Sequence, residues 1–252
     1  MKIIKDFFKE VHLLYRNIPA MLTALLFVGV ICMNMLANKS IDLPVDWLAL
    51  DAGFLFSWLV FFVMDIIVKR FGLKAANIVS ISALMVNLFV ALIFFLASLV
   101  PGTFGEAFRM DGSVDQTINN ALNNTFKGTW YIILGSSAAF ITSAIVNNLL
   151  AFLIHKAFKN KTSFKVFAIA SYVSTAIAQF VDNILFALIV SKVFFGWTLL
   201  QCFTCALTGM VFELVFEMIF SPLGYYFVRR MEKDNVGKDY IDYINAKKEL
   251  AK

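Results

Sequence analysis

Residues 165–192 read KVFAIASYVSTAIAQFVDNILFALIVSK. Between the flanking lysines Asp182 carries the only formal charge. A run of this kind exceeds the ~20 apolar residues that an α-helix needs to cross a bilayer's hydrocarbon core. Strands of a membrane barrel would instead be ~10 residues long with alternating polarity. The stretch therefore specifies a membrane-spanning helix. Within it, Gln179, Asp182 and Asn183 are polar groups that lipid would not tolerate.

The rest of the chain extends this reading. Of its 252 residues 60% are hydrophobic and 15% charged, with mean hydropathy +0.79. A soluble domain is nearer ~45–50% apolar and ~25% charged, so a soluble protein with one large core is excluded. Apolar runs predict six spans, roughly 18–38, 52–68, 75–100, 129–154, 166–191 and 198–221. The expected fold is all-α, a polytopic membrane protein of six transmembrane helices. Residues 1–17 have apolar positions at helical spacing with Lys2, Lys5, Lys9 and Glu10 between them, which predicts an amphipathic helix on the membrane surface. The expected organisation is this helix, a transmembrane domain over 18–230 and a charged cytoplasmic tail over 231–252. The long connection 101–128 is expected to be outer, either a solvated connector or a cap with a short helix of its own.

Basic residues set the orientation. With the N-terminus inside, the inner segments hold four Lys/Arg in 1–17, three at 69–74, four at 156–165 and seven over 229–252. The outer segments hold only Lys39, Arg109, Lys127 and Lys192. This asymmetry predicts both termini in the cytoplasm. It also accounts for the net charge of +5 without a nucleic-acid partner. Cys202 and Cys205 form a CxxC with no second pair, the pattern of ordinary buried thiols rather than a metal site. No Ser–His pair, HExxH motif or phosphate-binding glycine loop is present. The expectation is a protein without catalytic residues, metal or cofactor.

The polar residues of the spans fall into stripes. At 100° per residue, Tyr172, Thr175, Gln179, Asp182 and Asn183 occupy about 100° of arc on the fifth span. Asp51, Trp58 and Asp65 recur at heptad spacing on the second, and Ser136, Ser143 and Asn147 share a face of the fourth. Asn34 lies on the first span and Glu213 on the sixth. A carboxylate at span centre costs ~2.5–3.5 kcal/mol on insertion scales, so Asp182 and Glu213 call for partners, a proton or a wet cavity. Asp65 precedes Lys69 by one turn, which offers it a simple ion-pair partner. Asn147 is equally suited to gluing helices together. Converging stripes predict a polar cavity for a small solute. Carboxylates and amides suit a ligand rich in N–H groups, and Trp58 and Tyr172 offer flat faces, so a planar nitrogen heterocycle fits. The expected arrangement stacks it near Trp58 and holds it by Asp182, Gln179 and Asn183. Asn34 then lines the entry, with Asp65, Asn147 and Glu213 lining the inner exit.

At these same residues the chain resembles a known family. The segments LDAGFLFSWLVFFVMDIIVKRFG (50–72), VNNLLAFLIHK (146–156), QFVDNILFALIVSKVFFGWT (179–198) and LTGMVFELVFEMIFSPLGY (207–225) are similar to the bacterial vitamin uptake transporter family. Its better-known members are queuosine precursor transporters. The resemblance implies a six-span inner-membrane carrier for 7-deazapurines such as preQ0 and preQ1, or for queuine or queuosine, in salvage for tRNA modification. Asp65 and Asp182 match the family's second- and fifth-span aspartates. Many members carry QxxD in the fourth span, where this chain has Asn147 and Asn148. The expected partners are membrane lipid and the small-molecule substrate, with a homodimer also compatible with the sequence. Two rival classes remain at this stage. One is the substrate-binding subunit of an energy-coupling-factor vitamin importer; the other is a membrane scaffold whose stripes are only helix glue.

Overall fold

The computed structural model describes residues 2–157 and 164–249. They form nine α-helices: α1 (Lys2–Asn17), α2 (Ala20–Leu36), α3 (Phe54–Phe71), α4 (Leu73–Leu99), α5 (Gln116–Ala157), α6 (Phe164–Phe186), α7 (Lys192–Phe195), α8 (Leu199–Lys233) and α9 (Lys238–Glu249). A wide π-helical turn, Ala187–Ser191, joins α6 to α7. Among the described residues there is no β-strand, only isolated bridges at Ser40–Asp51 and Phe108–Val114.

Among the described residues three helical stretches are long and apolar enough to cross a membrane: Leu73–Leu99, Thr175–Phe195 and Leu199–Phe216. A fourth arises if Lys5–Asn17 and Ala20–Leu36 count as one bent span, but these meet at 103°. The two other early helices are marginal for simple reasons. Helix α2 has 17 residues, and α3 carries Asp65, Lys69 and Arg70 within its 18.

Two helices run far past the expected span limits. Helix α5 has 42 residues, about 63 Å at 1.5 Å per residue. It begins at Gln116, so the second half of the expected outer loop is helical rather than irregular. Asp115 caps it, accepting hydrogen bonds from the N–H groups of Thr117 (2.9 Å) and Ile118 (3.3 Å). Helix α8 starts at a reciprocal capping box. The Thr198 N–H donates to Gln201 Oε1 at 2.9 Å, and the Gln201 N–H donates to Thr198 Oγ1 at 3.2 Å.

The chain forms two compact units. The first comprises 1–31, 56–86 and 215–252. Its core holds Leu14, Leu26, Val63, Ile67, Val79 and Tyr240. Helix α9 is bound into it: the Arg70 guanidinium donates to the Val236 carbonyl, and Tyr240, 1% exposed, lies against Phe71. Glu10 is fully buried and paired with Lys74 and Lys247. The second unit comprises 32–55 and 87–214, with Leu50, Ala187, Trp197, Cys202 and Cys205 in one buried cluster. There the 37–53 segment is fastened to α8, because Gln201 Nε2 donates to the Asp46 carbonyl (2.8 Å) and the Thr204 hydroxyl to the Trp47 carbonyl (2.8 Å). Asp51 stands before α3 rather than on it, and its carboxylate accepts from the Gly53 N–H at 2.8 Å. It therefore does not extend the Trp58–Asp65 helical face.

Candidate functional site

The stripe of α6 exists as a helical face. Val173 and Ile177 are exposed on the opposite side, whereas Gln179 is 4% exposed. The apolar side of the helix thus meets the surroundings, and the polar side turns inward.

Asp182 and Asn183 meet different neighbours within the second unit. The Ser143 hydroxyl of α5 lies 3.1 Å from Asp182 Oδ1 and 2.9 Å from the Phe140 carbonyl. Its single proton is shared between these two acceptors. Asn183 Nδ2 donates to Glu213 Oε2 of α8 at 3.4 Å. Glu213 is buried, as is Asn34 on α2. Gln179 Oε1 is buried with no hydrogen-bond partner. An orphaned buried acceptor costs ~1–3 kcal/mol, so it is a place where an incoming N–H group would be welcomed.

Trp58 and Asp65 belong to the first unit. The Trp58 ring is stacked near-parallel on Phe220 (centroids 4.6 Å apart) and Phe216 (5.3 Å) of α8. Asp65 pairs with Lys69 at 3.1 Å, both side chains about half exposed, which is the ion pair anticipated from their spacing. Asn147 and Tyr172 fall on α5 and α6, but their side chains lie outside the described residues.

The arrangement supplies acceptors at Asp182, Glu213 and Gln179, and donors at Asn183 and Ser143. It is a surface for reading hydrogen-bonding patterns. Among the described residues no group of His, Cys, Asp and Glu could hold a metal ion. Helical spacing puts Ser143 on one face with Ser136 and Asn147 but does not pair it with Asp182. Nor does spacing mark Gly135, Gly209 or Tyr131, whose neighbours are remote in sequence.

Residues 51–227 match a family model described as "Putative vitamin uptake transporter". The matched region includes the whole α6 stripe, Trp58, Asp65 and Glu213, with Asn34 just before it. No curated protein and no solved structure matches the chain significantly. Apolar helices of membrane-spanning length and a match over most of the chain agree: this is a multi-pass membrane protein that belongs to the vitamin uptake transporter family.

Proposed function

We propose that this protein is a carrier of the bacterial cytoplasmic membrane, with six spans and both termini inside. Its substrate is a 7-deazapurine precursor of queuosine, as base or nucleoside. The observation that carries this reading is the inward face of α6. Asp182 meets Ser143 there, Asn183 meets Glu213, and Gln179 keeps a buried acceptor unpaired. A planar heterocycle with adjacent N–H groups satisfies such acceptors, whereas a phosphate-bearing solute would meet like charge with no basic residue in the spans to offset it.

In this mechanism Asp182, Gln179 and Asn183 bind the heterocycle, and Asn34 and Glu213 flank its path. Trp58 and Asp65, together with Asn147 and Tyr172, are further proposed contacts. Asp182 or Glu213 carries a proton, so that substrate release is coupled to proton loss. Equilibrium binding of radiolabelled preQ1 to purified protein tests the site. Asp182→Asn removes a charged acceptor worth ~1.5–3 kcal/mol, so binding should weaken about 10–100-fold with the melting profile retained. Parental affinity in a folded Asp182→Asn protein would reject the site. Uptake into liposomes that ignored an imposed pH gradient would reject the proton coupling while leaving the site intact.

A further inference from the structure

Residues with no charge of their own flank the α6 stripe on both sides. On α8, Gly209 lies one turn before Glu213. A β-carbon at this position would stand 2.8 Å from Asn183 Nδ2 and 3.3 Å from its Cγ, so the Asn183 amide would have to shift. Glycine leaves the room in which the Asn183 amide lies as it reaches Glu213 Oε2 at 3.4 Å. On α5, a β-carbon at Gly135 would collide with Val190 Cγ2 and come within 3.1 Å of Ile189 Cγ2. Those side chains belong to the wide turn Ala187–Ser191, four residues beyond Asn183. Tyr131, one turn before Gly135, donates its hydroxyl to the Ile189 carbonyl at 2.8 Å. A π turn inserts one residue into the helical ladder, and a donor from a neighbouring helix helps to satisfy the carbonyls it disturbs.

The structure assigns Gly135, Tyr131 and Gly209 as positioning residues of the substrate site. Gly135 and Tyr131 seat the wide turn against α5, and Gly209 leaves the space that the Asn183 amide occupies. The first two fix the rotation of α6, and with it the direction of Gln179, Asp182 and Asn183, and the third fixes the Asn183 amide. One residue of helical register is worth about 100°, so a change in the turn re-aims either the stripe or the chain beyond it. The assignment rests on the proposed reading of the stripe as the substrate site.

The test uses purified, reconstituted full-length protein as parent, Gly209→Ala, Gly135→Ala, Gly135→Ala/Val190→Ala and Tyr131→Phe, each with a melting profile. One readout needs no substrate. Dicyclohexylcarbodiimide reacts with carboxyl groups in apolar surroundings, and peptide mass spectrometry locates the adducts at Asp182 and Glu213. The other readout is KM and Vmax for preQ1 uptake. Displacing the Asn183 amide opens Glu213 to the reagent, so Gly209→Ala should raise its modification at least ~3-fold, in line with one hydrogen bond. KM should rise about tenfold in Gly209→Ala and Gly135→Ala, equivalent to one misplaced hydrogen bond, with Vmax within about threefold. Val190→Ala, which clears the space that the new β-carbon needs, should return the Gly135→Ala protein to within about threefold of parental KM. Tyr131→Phe should shift KM in the same direction. Folded variants with parental modification and parental KM would overturn the assignment, as would a double variant no better than Gly135→Ala. If the parent imports no preQ1 but modification shifts in Gly209→Ala as stated, the substrate assignment falls and the positioning role stands.

Discussion

At Asp182 a carboxylate inside an apolar helix has the Ser143 hydroxyl as its neighbour, and that hydroxyl divides one proton between two acceptors. The bond is therefore modest, and Ser143→Ala should cost about 1 kcal/mol. This corresponds to about fivefold in preQ1 affinity, measured by equilibrium binding, against the larger loss for Asp182→Asn. Asp65 makes a useful contrast. Its pair with Lys69 is i, i+4 and half exposed, a geometry worth ~0.3–0.5 kcal/mol. Asp65→Asn should leave the melting temperature almost unchanged, and uptake assays should then separate its two roles. A loss of uptake above tenfold would mark a substrate contact, and parental uptake a plain ion pair. Spacing alone revealed this pair and the α6 stripe, because both follow from 100° per residue. It could not reveal the Ser143–Asp182 pairing, whose members are 39 positions apart. Nor could it reveal Gly209, whose importance lies in the atom that approaches it.

Among the elements, α1 and α9 show how charge binds the two ends of the chain. Glu10 is fully buried, with Lys74 Nζ 2.5 Å and Lys247 Nζ 3.1 Å from its carboxylate. Burial alone would push its carboxyl upward, but the hydrogen bonds and charges of the two lysines outweigh burial and hold it below the ordinary value of 4.5. A lowered carboxyl contributes stability that is complete above the ordinary value and is lost as pH falls through the lowered one. Release of α9, read by limited proteolysis of the tail, should therefore set in below about pH 4.5. Glu10→Gln should loosen α9 already at neutral pH, by about 1–3 kcal/mol, and remove this acid dependence. Burial, reinforced by the negative charge of Glu10, pushes the Tyr240 hydroxyl up to about 12, so it stays neutral throughout this range. The amphipathic character of α1 was legible from its apolar spacing. Its partner was not, since Glu10 and Lys247 are 237 positions apart. The early start of α5 was hidden for another reason: hydropathy marks where a helix enters oil, whereas Asp115 marks where the helix begins.

Across the whole molecule, apolar composition and the length of the apolar runs make a helical membrane protein legible in the sequence. Among the described residues three helical stretches carry that expectation on length and polarity alone. The proposed six spans also need α2, short at 17 residues, and α3, which buries Val63 and Ile67 while carrying three charges toward one end. Reporter fusions at both ends should place both termini in the cytoplasm, and a terminus on the outer face would undo the six-span arrangement. The substrate was legible only as a chemical type, because acceptors and donors specify N–H patterns rather than a compound. The central claim is import of a 7-deazapurine through the α6 stripe. Its most direct test is expression of this chain in a bacterium lacking both queuosine synthesis and its own importer, with confirmed membrane insertion and working salvage. The cells are supplied with preQ0, preQ1, queuine or queuosine at low concentration, and tRNA queuosine is measured by gel shift. The account predicts restoration by at least one of these compounds with the parent chain and loss of that restoration with Asp182→Asn. Absence of restoration by all four compounds, or equal restoration by both proteins, would contradict it.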